Sequence, residues 1–332
     1  MEKHTRKLIK WGSSETLIMS LPRRWVKTNN LTEKDEVQVI YNPDNSLLVL
    51  PPLNPAQSEK INVEIQVKEE SDQNTIWYEL ITRYLDGADS ISLITKKRFS
   101  PEFASQIRKM ISTLLGLEIL KVESQKIEVT DIMNIQETNI ENLVKLISDY
   151  TLEFSFSTLS NFKSKNYDNL KEALSIRELV KKYYNRIHRE LRKSLTNPST
   201  LIKMNFNTQD VLDFAFFITS VNEVTENLEL QINSTLDLRL PKETGRVFDF
   251  MEEICALLKS AIDAFLFKNT KEAIRVLEKH AEMQKWKREI ENEEDKIAIQ
   301  NKSSALQIIL DSSEKISDST RNISLTALRH AI

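Results

Sequence analysis

Basic side chains near the start of the chain are the first candidates for chemistry. Residues 1–30 hold seven of them against two acidic residues, Glu2 and Glu15, which gives this segment a net charge of +5, whereas the whole chain carries −3. Clustered cations displace the counterions condensed on DNA, and arginine can also contact guanine edges. The segment therefore indicates a local DNA-binding surface; the alternative is a solvated basic face. The seven residues are Lys3, Arg6, Lys7, Lys10, Arg23, Arg24 and Lys27.

Two acidic residues near the other end of the chain are the second candidates. Glu314 and Asp318 lie four residues apart, so on a helix they share one face. Carboxylate oxygens suit hard and borderline metal ions, so the pair is a candidate cation site. The alternative is a solvated helix face, because such pairs are common on helices.

Composition limits the elements that can position these residues. The chain has 332 residues, of which 40% are hydrophobic and 29% charged, with only 4 glycines and 8 prolines. This length predicts two or three domains, and the scarcity of turn-forming residues favours helix over an all-β fold. The lone Cys255 excludes an internal disulfide and a multi-cysteine zinc site, and we expect it to be a core residue.

The sequence contains little that is typical of an enzyme or a membrane protein. Its four histidines are scattered and no glycine-rich phosphate loop is present, so we predict that the protein is not an enzyme. The best apolar stretches, 211–221 and 254–267, are shorter than the roughly 20 residues that span a bilayer. The first residues are polar and basic, unlike a signal peptide, and we expect a cytoplasmic protein without membrane insertion.

Residues 1–52 predict a small β domain with one helix. Gly12 allows a turn between two short strands, and Pro22 opens a helix for which Asn30 is a suitable left-handed stop. A unit of about 50 residues buries little apolar surface alone, so we expect a homodimer. The predicted strands are 6–10, 16–21, 36–41 and 47–50, and the predicted helix is 22–29.

The middle of the chain predicts a small α+β module at 60–131, after a proline-containing linker at 53–59. Residues 61–67 alternate apolar and polar side chains as a strand does, and Ser100 with Pro101 begins a helix that Gly116 ends. The other predicted strands are 90–95, 118–122 and 126–129, and the predicted helices are 77–85 and 101–115.

Residues 132–332 predict a helical bundle. The last helices of its two halves can be laid over each other with Glu223 on Glu314, which indicates two copies of a three-helix unit. Glu223 is then a second, weaker metal candidate, because an amide, Asn227, replaces the second carboxylate. The six predicted helices are 139–163, 168–195, 208–235, 242–268, 270–300 and 303–330.

The N-terminal segment resembles the swapped-hairpin domains of the AbrB/SpoVT/MazE type. The resemblance rests on the basic strand, the break at Gly12, the sequence Ser20-Leu21-Pro22, the short helix with Trp25, and Asp35-Glu36-Val37 before the last strands. It implies a dimeric DNA-binding module that contacts DNA through Arg6, Lys7, Lys10, Arg23, Arg24 and Lys27. Asn30 and Lys34 depart from the family, which commonly has glycine at these positions.

The helical region resembles the PhoU family, in which two three-helix repeats form a bundle with acidic metal-binding motifs. Glu314-Lys315-Ile316-Ser317-Asp318 carries the resemblance best, and the domain order is similar to that of archaeal phosphate-uptake regulators. The resemblance implies a divalent or ferric metal at the bundle, with promoter DNA and components of a phosphate ABC transporter as partners.

We therefore expect a mainly α, multidomain protein that regulates phosphate uptake by binding DNA through its N-terminal domain and sensing a signal through its bundle. The alternative is an interaction protein that restrains a phosphate transporter or its signalling partner without binding DNA. The expected domains are 1–52, 60–131 and 132–332, separated by the linker at 53–59.

Overall fold

The computed structural model describes residues 5–13, 15–41, 45–52, 60–68, 72–133, 139–238, 240, 245–301 and 304–332. The chain forms two compact units, Met1–Glu59 and Lys60–Ile332, which are described separately below. The predicted linker at 53–59 and residues 42–44, between the last two predicted strands of the N-terminal unit, lie outside the described residues. The finer division of the chain into three domains stays a prediction.

The N-terminal unit has the predicted order of two strands, a helix and two strands. Strand β1 pairs with β2, and β3 pairs with β4, both antiparallel. Gly12 adopts a positive φ of 64° in the first turn, and Asn30 adopts 51° after the helix, as predicted. Both early strands are shorter than predicted. The elements are β1 (Ile9–Lys10), β2 (Leu17–Ile18), α1 (Arg23–Thr28), β3 (Gln38–Tyr41) and β4 (Leu47–Leu50).

Residues 60–133, the sheet module, form a four-stranded sheet in the order β5-β6-β8-β7. Strands β5 and β6 are parallel, and the remaining pairs are antiparallel. Helices α2 and α3 pack on one face of this sheet, around buried side chains such as Leu80, Ile91 and Ile107. The elements are β5 (Asn62–Gln66), α2 (Gln73–Leu85), β6 (Ser90–Ile94), α3 (Pro101–Ser112), β7 (Leu117–Val122) and β8 (Lys126–Asp131).

Residues 139–332, the helical region, contain all six predicted helices and one short additional helix, α6. No helix among the residues described above has both the length and the apolar character needed to cross a bilayer. The elements are α4 (Ile140–Ser164), α5 (Tyr167–Thr196), α6 (Pro198–Met204), α7 (Thr208–Leu238), α8 (Gly245–Leu266), α9 (Thr270–Asn301) and α10 (Ser304–His330).

Helices α7 and α10 run antiparallel along each other. Gln231 on α7 donates hydrogen bonds to Ser313 Oγ and to the Ile309 carbonyl, and Ser319 donates to Glu223 toward the other end of the pair. Gln231 and Ser313 are both buried, so these bonds give the Gln231 amide nitrogen and the Ser313 hydroxyl partners in place of water, whereas Gln231 Oε1 has none.

The helical region has its own apolar core, which is distinct from that of the sheet module. Phe217 on α7 stacks on Phe265 on α8 with ring centroids 3.9 Å apart, and both rings are buried. Cys255 is buried in this core, as predicted, and burial raises the pKa of its thiol to about 12. The thiol is therefore neutral and contributes as a small apolar side chain.

Candidate functional site

The predicted DNA-facing residues occupy two places in the N-terminal unit. Arg6, Lys7 and Lys10 lie on or just before β1, and Arg23, Arg24 and Lys27 lie on α1. All six side chains are exposed to solvent. The structure thus leaves every predicted cation accessible to a phosphate backbone.

Helix α1, which carries three of the basic residues, ends at a well-defined stop. Its last turn is closed by a hydrogen bond from the Asn30 N–H to the Lys27 carbonyl and by another from the Leu31 N–H to the Val26 carbonyl. This is the pattern of a Schellman stop, in which the left-handed residue is Asn30. Lys34 is not among the residues with positive φ, so lysine is accommodated there without backbone strain.

The loop after α1 is fixed by one carboxylate. Asp35 accepts hydrogen bonds from the backbone N–H and the hydroxyl of Thr32, at 2.6 and 2.9 Å. These bonds lower the pKa of Asp35 because they favour the charged carboxylate. These hydrogen bonds close a local turn at residues 32–35, between the basic helix and β3.

The N-terminal unit exposes half of the large apolar side chains among its described residues. Among its described residues Leu50 alone is a buried hydrophobic, whereas Ile9 is 58% exposed, Leu17 55% and Tyr41 82%. Side chains of this kind are normally removed from water when a unit folds. Their exposure in one chain is the pattern expected of a unit that completes its core with a second chain.

Comparison with known families finds a similarity in the N-terminal unit. Residues 10–58 are similar to the family described as "Antidote-toxin recognition MazE, bacterial antitoxin". The similarity fits a DNA-binding or antitoxin-type role for the N-terminal unit, and it agrees with the predicted swapped-hairpin type. No curated protein and no solved structure shows a significant match to the chain.

The predicted metal ligands of α10 are held by different residues of α9. Glu314 accepts a hydrogen bond of 2.5 Å from the Lys287 ammonium, which also contacts Asp311 at 3.1 Å and Glu291 at 3.2 Å. Burial alone would lower the pKa of Lys287, but its hydrogen bonds to Glu314, Asp311 and Glu291 outweigh burial and raise it. A lysine ammonium thus supplies the positive charge beside Glu314.

Asp318 lies one turn further along α10 and faces a histidine instead. The Nε2 atom of His280 is 3.5 Å from Asp318 Oδ1, and its Nδ1 atom is 3.0 Å from Ser317 Oγ. Burial lowers the pKa of His280, against the opposing effect of the Asp318 charge. Glu223, the third candidate, accepts a hydrogen bond of 3.1 Å from Ser319.

The structure therefore separates the acidic candidates into different local partnerships. Within the part of the chain that the structure describes, no group of three or more His, Cys, Asp or Glu side chains could hold a metal ion. Metal binding by Glu314, Asp318 and Glu223 stays a prediction.

A cluster of buried charges between α5 and the sheet module was not predicted. Arg186 and Arg189 are fully buried and both contact Asp131, at 2.8 and 2.9 Å. The pattern of α5 gave no signal for this, because arginines next to a stripe of apolar residues usually lie in solvent. Only the packing of the sheet module against α5 brings these charges together.

Proposed function

We propose that the protein is a DNA-binding regulator that acts as a homodimer through its N-terminal unit. The similarity of residues 10–58 to the MazE family is the observation that carries this proposal. The exposed basic side chains and the exposed apolar side chains of the same unit support it, because DNA contact requires the first and chain pairing uses the second.

In this proposal the basic residues act mainly on the phosphate backbone. Arg23 and Lys27 are four residues apart on α1 and share one face, so one helix can contact neighbouring phosphates. A dimer doubles the local charge of about +5, and each neutralised phosphate releases counterions. Base-specific recognition would then come from arginine contacts to guanine.

The helical region would supply the regulatory input. Its resemblance to PhoU proteins leads us to propose phosphate supply as the signal and components of a phosphate transporter as partners. A bundle that takes two conformations can regulate DNA binding only if DNA has different affinities for the two.

Fluorescence anisotropy tests the DNA-binding proposal directly. The purified protein is titrated onto fragments of its own upstream region, of a phosphate-transporter promoter and of unrelated DNA, at several salt concentrations. We expect preference for one promoter fragment and a steep loss of affinity with salt. Equal affinity for all fragments would remove sequence-specific regulation from the proposal.

A matched pair of variants identifies the surface. Arg23→Ala/Arg24→Ala removes two exposed charges from α1, and Lys96→Ala/Lys97→Ala removes two exposed charges from the sheet module. We expect at least about a tenfold loss of affinity for the first variant, because it loses phosphate contacts, and little change for the second. The slope of log affinity against log salt concentration should also become less steep, by about 0.9 for each lost phosphate contact. Equal losses would mean that net charge, and not the N-terminal unit, determines binding.

The exposed apolar side chains also support a second function. The N-terminal unit could serve only to pair two chains, while the helical region binds a transporter or a signalling partner. A dimer that shows no DNA affinity even at low salt, and that copurifies with an ATPase subunit, would establish this alternative.

A further inference from the structure

The surface between helix α5 and the sheet module is built from charges. Four cations of α5, Arg186, Arg189, Arg192 and Lys193, face three carboxylates of the module, Asp86, Asp89 and Asp131. We call this set the ionic interface. Arg186 contacts both oxygens of Asp131, at 2.8 and 2.9 Å, and Lys193 contacts Asp89 at 2.6 Å. Both bonds from Arg186 come from its Nη1 atom, and Arg189 Nη2 donates a third to Asp131 Oδ2, so charge-assisted hydrogen bonds from two arginines converge on one carboxylate.

The centre of the ionic interface is fully desolvated. The side chains of Arg186 and Arg189 are 0% exposed and that of Asp131 is 4% exposed. Arg189 also donates to the Tyr84 carbonyl and lies over the Tyr84 ring, 5.0 Å from its centroid. Desolvation raises the pKa of the Tyr84 hydroxyl to about 12, so this group stays neutral and donates to the Leu115 carbonyl.

The two sides approach too closely for any side chain at Gly116. A Cβ placed there would lie 2.6 Å from Arg186 Nη1 and 2.7 Å from Asp131 Oδ1. Gly116 also has a φ of 90°, which favours glycine. The backbone of the module is therefore shaped to admit the guanidinium of α5.

Several polar atoms of this region have no hydrogen-bond partner. These are Arg186 Nε, Arg189 Nε and Glu190 Oε2, whereas Arg186 Nη2 and Glu190 Oε1 form an ion pair at 2.9 Å. The free energy lost when a charge is removed from water is offset only if the ion pair has good geometry and complete hydrogen bonding. The ionic interface is therefore specific in its geometry, and its closure depends on every partner being present, because loss of one partner leaves a buried charge unpaired.

Each side of the interface keeps an apolar core of its own. The buried side chains of the sheet module form one cluster, and those of the helical region form another. Two bodies with separate cores can move apart without unfolding if the contact between them is the weaker part.

We propose that the sheet module and the helical region are two rigid bodies that separate at the ionic interface while both stay folded. The inference does not depend on the proposed DNA binding. It makes the interface a conformational device within Lys60–Ile332, because opening would expose the charges of Arg186, Arg189 and Asp131 that are buried in the closed form.

Hydroxyl-radical footprinting of the full-length protein tests the proposal with Asp131→Asn, because side chains buried at the interface react only when the two bodies separate. This variant removes the charge held by both arginines, and Glu128→Gln is the control because Glu128, on the same strand, pairs with Lys126 at a partly exposed position. We expect at least about tenfold faster oxidation of Tyr84, whose buried ring lies under Arg189, with Leu93 and Phe217 in the two cores unchanged. The control should be oxidised like the wild type.

Two results would overturn the proposal. Equal acceleration at the interface and in both cores would mean that the two bodies unfold together as one. No acceleration anywhere would mean that the ionic interface does not determine the opening.

A reversible crosslink provides a test that does not rely on removing a buried charge. A Cβ on Gly87 would lie 3.4 Å from Lys193 Cβ, close to the separation found in disulfides, so we use Gly87→Cys/Lys193→Cys. Both the oxidised and the reduced form carry a cysteine at position 87, where φ is 89°. Any strain from that cysteine is therefore the same in the two forms and cancels in their comparison. We expect slow oxidation of Tyr84 in the crosslinked form and at least about tenfold faster oxidation of Tyr84 in the reduced form. Equal oxidation of Tyr84 in the two forms, or failure to form the crosslink, would contradict a closed state with this geometry.

Discussion

The N-terminal unit and the helical region use the same kinds of apolar side chains in opposite ways. In the helical region Phe154, Phe162 and Phe217 are completely buried by the chain's own helices. In the N-terminal unit Ile9, Leu17 and Tyr41 remain largely exposed. Long helices can cover one another within one chain, whereas strands of two to four residues cannot enclose a core. The comparison teaches that one region encloses its core within a single chain, whereas the other leaves apolar side chains exposed, as the proposed homodimer requires.

The largest expected effect lies in the helical region. Phe217→Ala removes a fully buried ring that stacks on Phe265, and we expect it to lower the free energy of unfolding by about 3–5 kcal/mol. Denaturant unfolding followed by circular dichroism measures this loss. Phe216→Ala, the exposed neighbour at 48% exposure, is the control and should cost much less. Similar losses for both would show that the core is not assembled as described.

The next effect concerns pairing of the N-terminal unit. Leu17→Asp places a charge on the exposed apolar surface, and we expect it to convert a homodimer to a monomer by light scattering, a loss of at least about 3 kcal/mol of association. Leu212→Asp adds a charge at a similarly exposed leucine of α7, at 54% exposure, and should leave the dimer intact. If the wild-type protein is monomeric at micromolar concentration, the exposed apolar side chains of the N-terminal unit do not pair two chains, and the proposed difference between the two regions is wrong.

A smaller effect should show whether Lys287 takes the place of a metal ion beside the acidic residues of α10. Lys287→Met leaves Glu314, Asp311 and Glu291 without their ammonium, and we expect a loss of about 1–2 kcal/mol because these carboxylates are partly hydrated. Thermal unfolding with and without Mn²⁺ or Mg²⁺ then tests the metal hypothesis. We expect metal to stabilise the variant more than the wild type, since the ammonium repels a cation. Equal stabilisation of both would mean that Lys287 does not compete with a metal ion.

The smallest expected effect is a pH dependence. Burial and the nearby Lys268 charge lower the pKa of His330 below 6.5, against the opposing charges of Asp210, Asp213 and Glu141, and its ring stacks on Phe265. The unfolded chain then binds more protons than the folded chain, so stability is lost as the pH falls below 6.5. His330→Gln should reduce the difference in melting temperature between pH of about 7.5 and 5.5. An unchanged difference would show that His330 does not contribute to it.

Local signals in the sequence predict most elements of the fold. Ser100 and Pro101 predict the start of α3, and the Ser100 hydroxyl accepts the Phe103 N–H as a cap should. Helix α2 begins at Gln73, before the predicted 77, because Asp72 caps a first turn that lacks apolar side chains. Helix α6 was missed, since Pro198 looks like a break although it also suits the first turn of a new helix.

The partners of the site residues could not be predicted in the same way. Glu314 and Asp318 share a face of α10, as their spacing predicts, yet Lys287 and His280 on α9 decide what each contacts. The burial of Arg186 and Arg189 depends on Asp131, more than 50 residues away along the chain. Such pairs arise from packing between elements, which the periodicity of one element does not encode.

The exposed apolar side chains of the N-terminal unit have a consequence for dosage. If two chains must pair before either can hold DNA, the amount of competent protein at low concentration rises with the square of the amount synthesised. A twofold change in expression would then alter promoter occupancy up to about fourfold, without any ligand. The incomplete core of one small unit would make the regulator responsive to its own abundance.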